Sequence, residues 1–366
     1  MSHDDFMPIE GWDHVELWVG NAKQSTYFYE HALGFTPVAY AGPETGVRDR
    51  ASYVLEQGHI RLVVTSGLRA DNEITRFAHA HGDGVKDVAL TVPSATEAYR
   101  QAVQRGGVSV KEPHWVEDEH GRVELAAIGT YGETVHTFVN RSEYQGPYLP
   151  GYEALADNGA AGKGVGLRAV DHVVGNVELG RMNHWVEYYE KTMGFTEMIH
   201  FSDEDISTEY SALMSKVMTG GHGKIKFPIN EPAEGRRKSQ IEEYLDFFGG
   251  PGVQHIAMLT ADICATVDEL RRRGIRFLDT PDTYYEEAES RVGEIDKSWT
   301  DVRRLKILAD RDDDGYLLQI FSKPAQDRPT LFFEVIERHG ARGFGQGNFK
   351  ALFEAIEREQ ALRGNL

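Results

Sequence analysis

Residues 82–91 read GDGVKDVALT and residues 250–259 read GPGVQHIAML. Both stretches carry glycine, glycine, valine and alanine at matched positions. A glycine turn followed by a short apolar run is the pattern of a buried strand. At the sixth position the two part, with Asp87 in the first and His255 in the second. A strand written twice, with histidine in one copy alone, points to a duplicated fold in which one copy carries the chemistry.

The duplication extends outward from these strands. WDHVELWVGNAKQSTYFYEHALGF (12–35) parallels VDHVVGNVELGRMNHWVEYYEKTMGF (170–195). Each gives Asp-His-Val on an apolar strand, a polar turn, and an aromatic-rich helix closed by Gly34 or Gly194, where a helix end favours a left-handed residue. VPSATEAYRQAVQRGG (92–107) and ADICATVDELRRRG (261–274) then predict a further helix in each half, and strand-like runs follow both. The unit is β–α–β–β, used twice in each half. This predicts an α+β protein of two homologous modules, each built from paired βαβββ units that form a curved, barrel-like mixed sheet with helices outside. The expected boundaries are 1–150 for a non-catalytic module, 151–166 for a linker inside the Gly-, Ala- and Pro-rich run 147–166, and 167–366 for a catalytic module with a terminal helix.

Bulk properties narrow the function. The 366 residues suffice for two domains with sizeable cores. Lys plus Arg number 39 against 58 Asp plus Glu, a formal charge of -19, which disfavours nucleic acid and anionic membrane as partners. Cys264 is the single cysteine, so a disulfide framework and a thiolate metal cluster are excluded. The acidic start and the lack of a run of about 18 apolar residues predict a cytoplasmic protein with no membrane partner.

Three potential ligands lie on three strand-like runs of the second half: His172 in AVDHVV, His255 in GVQHIAM and Glu334 in TLFFEVIE. Alternation places Val170, His172 and Val174 on one strand face, and Phe332, Glu334 and Ile336 on another. A carboxylate between apolar neighbours is costly unless paired or metal-bound. Two imidazoles and one carboxylate form the ligand set of a non-haem Fe(II) facial triad. The competing reading pairs Glu334 with Arg338 or Arg328 in a buried ion pair. The matching positions of the first half are His14, Asp87 and Thr137, so that copy keeps one ligand type of three.

These residues also carry a resemblance. VDHVVGNV (170–177), KFPINEP (226–232), KSQIEEYLDF (238–247), GVQHIAM (252–258), LADRDDDGYLLQIFSKPAQDRPTLFFEVIERHG (308–340) and GFGQGNFKALFEAIEREQ (343–360) closely resemble the 4-hydroxyphenylpyruvate dioxygenases of the vicinal-oxygen-chelate superfamily. VGNAKQ, GPYLPGY and the DEHG turn extend the resemblance, more loosely, through the first half. It implies Fe(II) on His172, His255 and Glu334, and 4-hydroxyphenylpyruvate and O2 as substrates. It further implies homogentisate and CO2 as products, within tyrosine and phenylalanine catabolism, and a homodimer or homotetramer. Carried over residue by residue, Ser211, Asn230, Gln240 and Gln254 would be the polar groups near the substrate, with Gln319 at its carboxylate end. Pro228, Phe321, Phe332, Phe344, Phe349 and Phe353 would be its walls. Gln254 and His255 are adjacent, so both face one site only if a bulge interrupts the strand.

The terminal segment reads as a lid over that site. Asn348 is a candidate N-cap, and Phe349, Leu352, Phe353 and Ile356 form one helical stripe. Gly343, Gly345 and Gly347 would supply a pliable approach. The alternative is a helix permanently packed on the sheet. DRDDDGYLLQIF (310–321) begins like an EF-hand but ends in Phe321 rather than Glu, which predicts a turn between strands. Competing functions are a hydroxymandelate synthase acting on the same substrate, an extradiol ring-cleaving dioxygenase, and a binding module without catalysis. Pro228, Asn230 and Phe321 look like the ring-hydroxylating pattern.

Overall fold

The computed structural model describes residues 5–156, 164–202, 212–233, 235 and 237–365. Ser211 lies outside them. The first half runs β1 (Gly11–Trp18), α1 (Ala22–His31), β2 (Thr36–Ala41), β3 (Arg50–Gln57), β4 (Ile60–Gly67), α2 (Glu73–His81), β5 (Gly84–Thr91), α3 (Ala95–Gln104), β6 (Val108–Asp118), β7 (Gly121–Gly129) and β8 (Val135–Asn140). A two-residue strand, β9 (Glu153–Ala154), follows inside the stretch read as linker and pairs with β2.

The second half repeats the series as β10 (Leu167–Asn176), α4 (Met182–Met193), β11 (Thr196–Phe201), β12 (Ala212–Gly220), β13 (Ile225–Ala233), α5 (Gln240–Phe248), β14 (Gly252–Thr260) and α6 (Ile263–Arg272). Two further helices, α7 (Asp282–Val292) and α8 (Trp299–Arg304), intervene before β15 (Leu308–Asp312), β16 (Gly315–Phe321), β17 (Phe332–His339) and the terminal α9 (Phe349–Arg363). Sequence reading had no repeat to find α7 and α8 by, because α3 passes almost directly into β6 in the first half.

The two mixed sheets share one topology. Their orders are β6-β7-β8-β5-β1-β4-β3-β2-β9 and β11-β12-β13-β10-β14-β17-β16-β15. Reversed, the second matches the first strand for strand, apart from β9. In each, the opening strand pairs in parallel with the fourth of its series (β1 with β4, β10 with β13), and the fifth with the eighth (β5 with β8, β14 with β17).

Local chemistry explains the element ends. Asn21 accepts from the Gln24 amide and Asp262 from the Ala265 amide, capping α1 and α6. Ser239 and Glu242 form a reciprocal capping box that starts α5 beside the site. Gly194 ends α4 at φ 68°, the left-handed conformation expected of it. The largest apolar cluster draws on both halves, from Met7 and Phe35 to Phe227 and Val335. Tyr29 of α1 stands edge-on to Phe333 of β17 with ring centroids 6.0 Å apart. The helical face of one sheet is thus turned toward the other half.

Candidate metal centre and substrate pocket

Three adjacent strands of the second sheet, β10, β14 and β17, deliver His172, His255 and Glu334. The register between β14 and β17 sets Ala257 opposite Glu334 and His255 opposite Phe332. All three side chains are buried. Glu334 Oε2 lies 3.1 Å from His172 Nε2 and 3.4 Å from His255 Nε2. Among the described residues, this is the one group of three or more His, Cys, Asp or Glu whose donor atoms lie within 4.8 Å of one another. A divalent first-row ion that takes donors at about 2.1 Å in a facial arrangement needs them about 3 Å apart. Glu334 Oε1 is buried with no hydrogen-bond partner, a costly state that a metal ion would relieve. The residues therefore fit a metal ion.

The competing ion pair is not formed. Arg338 binds Asp171 instead, at 2.8 Å through both Nε and Nη2. Arg328 donates to the carbonyls of Ala80 and His79. Burial alone would push the Glu334 carboxyl up; the two imidazoles, His172 foremost, outweigh it and hold it at about 2. His172 Nδ1 is 2.7 Å from Asp171 Oδ2, and His255 Nδ1 is 2.9 Å from Gln254 Oε1. Each ring therefore turns Nε2 toward Glu334.

Two bulges produce this arrangement. Val174 faces His255 while Gly175 faces Val253, so Gln254 is an extra residue in β14. That is the irregularity the adjacent Gln254 and His255 require, and both line the cavity. Val170 faces Met258 while His172 faces Ala257, so Asp171 is extra in β10. This second bulge corrects the simple alternation expected there. Val170 joins the central apolar cluster with Val173, and His172 shares the cavity wall with Val174.

The cavity itself matches most of the expected residues. Pro228, Asn230, Gln240 and Gln254 line it. Its aromatic walls are Phe321, Phe332, Phe344, Phe349 and Phe353. His255 stacks on Phe332 at 4.8 Å and 20°, and His172 meets Phe344 edge-on at 5.0 Å. Gln319 is not on the wall. It is buried under the turn at Gly345 and Asn348, where its Nε2 finds no partner. The sequence reading missed Phe201, Leu213, Ser215 and Val217, which complete the cavity from β11 and β12. Alternation along ALMSKVMTG would have shown which residues share a face, but not that the face borders the site.

Helix α9 roofs the cavity with Phe349, Leu352, Phe353 and Ile356, the stripe read from the sequence. One expectation about its approach needs correction. Asn348 occupies the cap position without a side-chain cap, because its Oδ1 accepts from Tyr284 Oη at 2.5 Å. Gly345 adopts the left-handed region at φ 79°, where a Cβ would meet Gln319, and a Cβ at Gly347 would meet the Arg291 guanidinium. The Asp-rich turn joins β15 to β16 as expected, and Asp312 also accepts the amides of Arg342 and Gly343.

In the first half the same register puts His14 opposite Ala89 and Glu16 opposite Asp87, and sets Asp87 opposite Val135. His14, Asp87 and Thr137 therefore occupy the places of His172, His255 and Glu334. Asp87 bonds Thr137 through its backbone amide at 3.0 Å and through its hydroxyl.

Comparison with known proteins agrees with this geometry. Residues 3–150 match the family model described as hydroxyphenylpyruvate dioxygenase, HPPD, N-terminal. Residues 169–320 match the glyoxalase/bleomycin resistance protein/dioxygenase superfamily. A 4-hydroxyphenylpyruvate dioxygenase of Dictyostelium discoideum is 48% identical over 98% of this chain and 100% of its own. The chain belongs to the 4-hydroxyphenylpyruvate dioxygenase family. A second member, from Aspergillus fumigatus, is 47% identical over 98% of this chain and 94% of its own. A variant of 4-hydroxymandelate synthase from Streptomyces coelicolor superposes with a TM-score of 0.87 at 35% identity, covering 97% of this chain and 100% of that one. Alongside this family membership, the buried triad is a group that could hold a metal ion.

Proposed function

We propose that this protein is an Fe(II)-dependent 4-hydroxyphenylpyruvate dioxygenase, converting 4-hydroxyphenylpyruvate and O2 to homogentisate and CO2. One oxygen atom ends in the new arylacetate carboxylate and the other on the ring, whose side chain moves to the neighbouring carbon. The observation that carries the reading is the buried His172–His255–Glu334 group, with its orphaned carboxylate oxygen, at the base of a cavity walled by phenylalanines and carboxamides. The family membership supports it.

Bound at the triad, Fe(II) supplies the electron transfer by which O2 reacts with a 2-oxo acid that is itself the two-electron reductant. The protein's own contribution is position and dryness. The two imidazoles and the carboxylate would hold the ion and leave its cavity side for the substrate's carboxylate and keto oxygens. Phe321 and Phe332 flank His255 and wall the aromatic ring. Asn230, Gln240 and Gln254 present amides that bond a phenol without adding charge near the metal. Helix α9 excludes water from above.

Residues 1–150 act as a structural module and 167–366 as the catalytic one, supported by the loss of two of three ligand types in the first copy. No described helix is long and apolar enough to cross a membrane. With the single cysteine, this supports a cytoplasmic location. The exposed apolar edge strand β6, with Val108, Val110 and Trp115 outward, supports assembly as a homodimer or homotetramer.

The structural likeness to a hydroxymandelate synthase variant favours a second reading on the same substrate, though at lower identity than the dioxygenases. Product identification separates them. With Fe(II), O2 and 4-hydroxyphenylpyruvate the protein should release CO2 and homogentisate in equal amounts, and the Glu334→Ala variant should fold but release neither. Formation of 4-hydroxymandelate, or an active variant, would overturn the assignment.

A further inference from the structure

A four-residue cluster that includes His172 recurs around His14. In the second half, the bulged Asp171 bonds His172 Nδ1, and Arg338 grips Asp171 with two hydrogen bonds of 2.8 Å. The third donor of the same guanidinium, Nη1, reaches the carbonyls of Ala341 at 3.2 Å and Gly343 at 2.6 Å. Its plane centre lies 5.4 Å from the Phe344 ring, which stands over His172.

In the first half the bulged Asp13 bonds His14 Nδ1 at 2.6 Å, and Arg141 grips Asp13 at 2.7 and 2.6 Å. Arg141 Nη1 also donates to the Tyr148 carbonyl, its guanidinium lies 5.0 Å from the Tyr148 ring, and that ring stands edge-on to His14 at 5.5 Å. The acid, imidazole, guanidinium and aromatic ring thus form the same cluster twice. Where Asp87 and Thr137 replace the other two ligands, it forms without a triad. The cluster is therefore built by the fold rather than by an ion.

We infer that Arg338 is a positioning residue of the metal centre: through Asp171 it fixes the His172 ring before metal arrives, and with the same guanidinium it seats the turn that carries Phe344 over that ring. The inference rests on the metal-binding reading above. A bidentate grip fixes the carboxylate in two directions, where a single donor would let it swing. A carboxylate held so fixes the imidazole tautomer with Nε2 free for the ion, and outer partners of this kind are worth about 10–100-fold in metal affinity. Lys226, 3.3 Å from Asp171 Oδ1, supplies one further bond but no fork.

The test is titration of the metal-free, full-length protein with Co2+, read by calorimetry and by the visible spectrum of the bound ion. Arg338→Gln should weaken Co2+ binding about 10–100-fold, Arg338→Lys less, and Asp171→Asn as much as Arg338→Gln. Arg141→Gln is the internal control: it removes the same bonds from the twin cluster, and should lower the melting temperature comparably while leaving Co2+ affinity unchanged. Co2+ affinity within about twofold of the parent for Arg338→Gln, or for Asp171→Asn should the arginine variant not fold, would overturn the inference. An equal loss in Arg141→Gln would also overturn it, by showing that general destabilisation accounts for the effect. Failure of the unaltered protein to take Co2+ would instead defeat the metal reading itself.

Discussion

Asp87 and His255 occupy one position in two copies of a strand, and their surroundings explain their different fates. His255 can share Glu334 with His172, whereas Asp87 meets the neutral Thr137 and accepts its amide and hydroxyl. Burial pushes the Asp87 carboxyl up to about 6 against the opposing pull of His14 and the Thr137 bonds. The folded state therefore keeps a proton that the unfolded chain gives up. This contribution is fully present below about pH 4 and is lost as the pH rises through 6. Asp87→Asn, neutral throughout, should gain stability relative to the parent between pH 4 and 7, by about 2–3 kcal/mol at most. Thermal melts of both proteins across that range check it; parallel curves would remove Asp87 from the pH response. Glu334 was legible as the costly residue on its strand because a carboxylate flanked by Phe332 and Ile336 must be paired or metal-bound. Its partner was not legible: Arg338, four residues on, was as plausible from spacing as two histidines far away in sequence.

At the scale of the element, the two bulges and the terminal helix decide the site. A regular strand would send Asp171 and His172, or Gln254 and His255, to opposite faces. Each bulge lets neighbouring side chains act together, one as ligand and one as its support. Helix α9 is held at its far end, where Arg363 bonds Glu243 of α5 at 3.0 and 2.6 Å and Lys323 bonds Glu359. Its Phe353 is 3% exposed and closes the cavity against β12. Removing residues 349–366 should leave CO2 release measurable but lower the homogentisate formed per CO2, because water reaches the site between the two oxidations. Simultaneous quantification of both products reads this ratio, and an unchanged ratio would deny the helix its role as a roof. The stripe of α9 was legible from its i, i+3, i+4, i+7 spacing. The packing of Gly345 and Gly347 against Gln319 and Arg291 was not, because those partners belong to β16 and α7.

For the whole molecule, the duplicated sheets matter because they are joined. Tyr189 of α4 meets His136 Nε2 at 2.8 Å and Thr130 Oγ1 at 2.9 Å, both from the first half. Burial holds the His136 imidazole down at about 4, against the Val88 carbonyl bond that favours its proton. The unfolded chain then binds a proton near pH 6.5 that the folded one refuses. Stability from this group is complete above about pH 6.5 and is lost as the pH falls toward 4. His136→Gln should therefore lose less melting temperature than the parent between pH 7 and 4.5, and an identical loss would exclude this contact as an acid-sensitive joint. The equilibrium is two-state only if both halves melt together, which the shared apolar cluster favours.

The sequence by itself determined the doubled plan, the strands that carry His172, His255 and Glu334, and the absence of that set from the first copy. Each of these follows from residue types recurring at matched spacing, which the chain displays without folding. The tertiary structure alone decided which strands lie side by side and where an extra residue breaks the alternation. It also decided that Arg338 serves Asp171 rather than Glu334, and that Gln319 lies behind the wall rather than in it. Those outcomes depend on pairing and packing between separate segments, 167 residues apart for Asp171 and Arg338, and local pattern carries no energy term for such contacts.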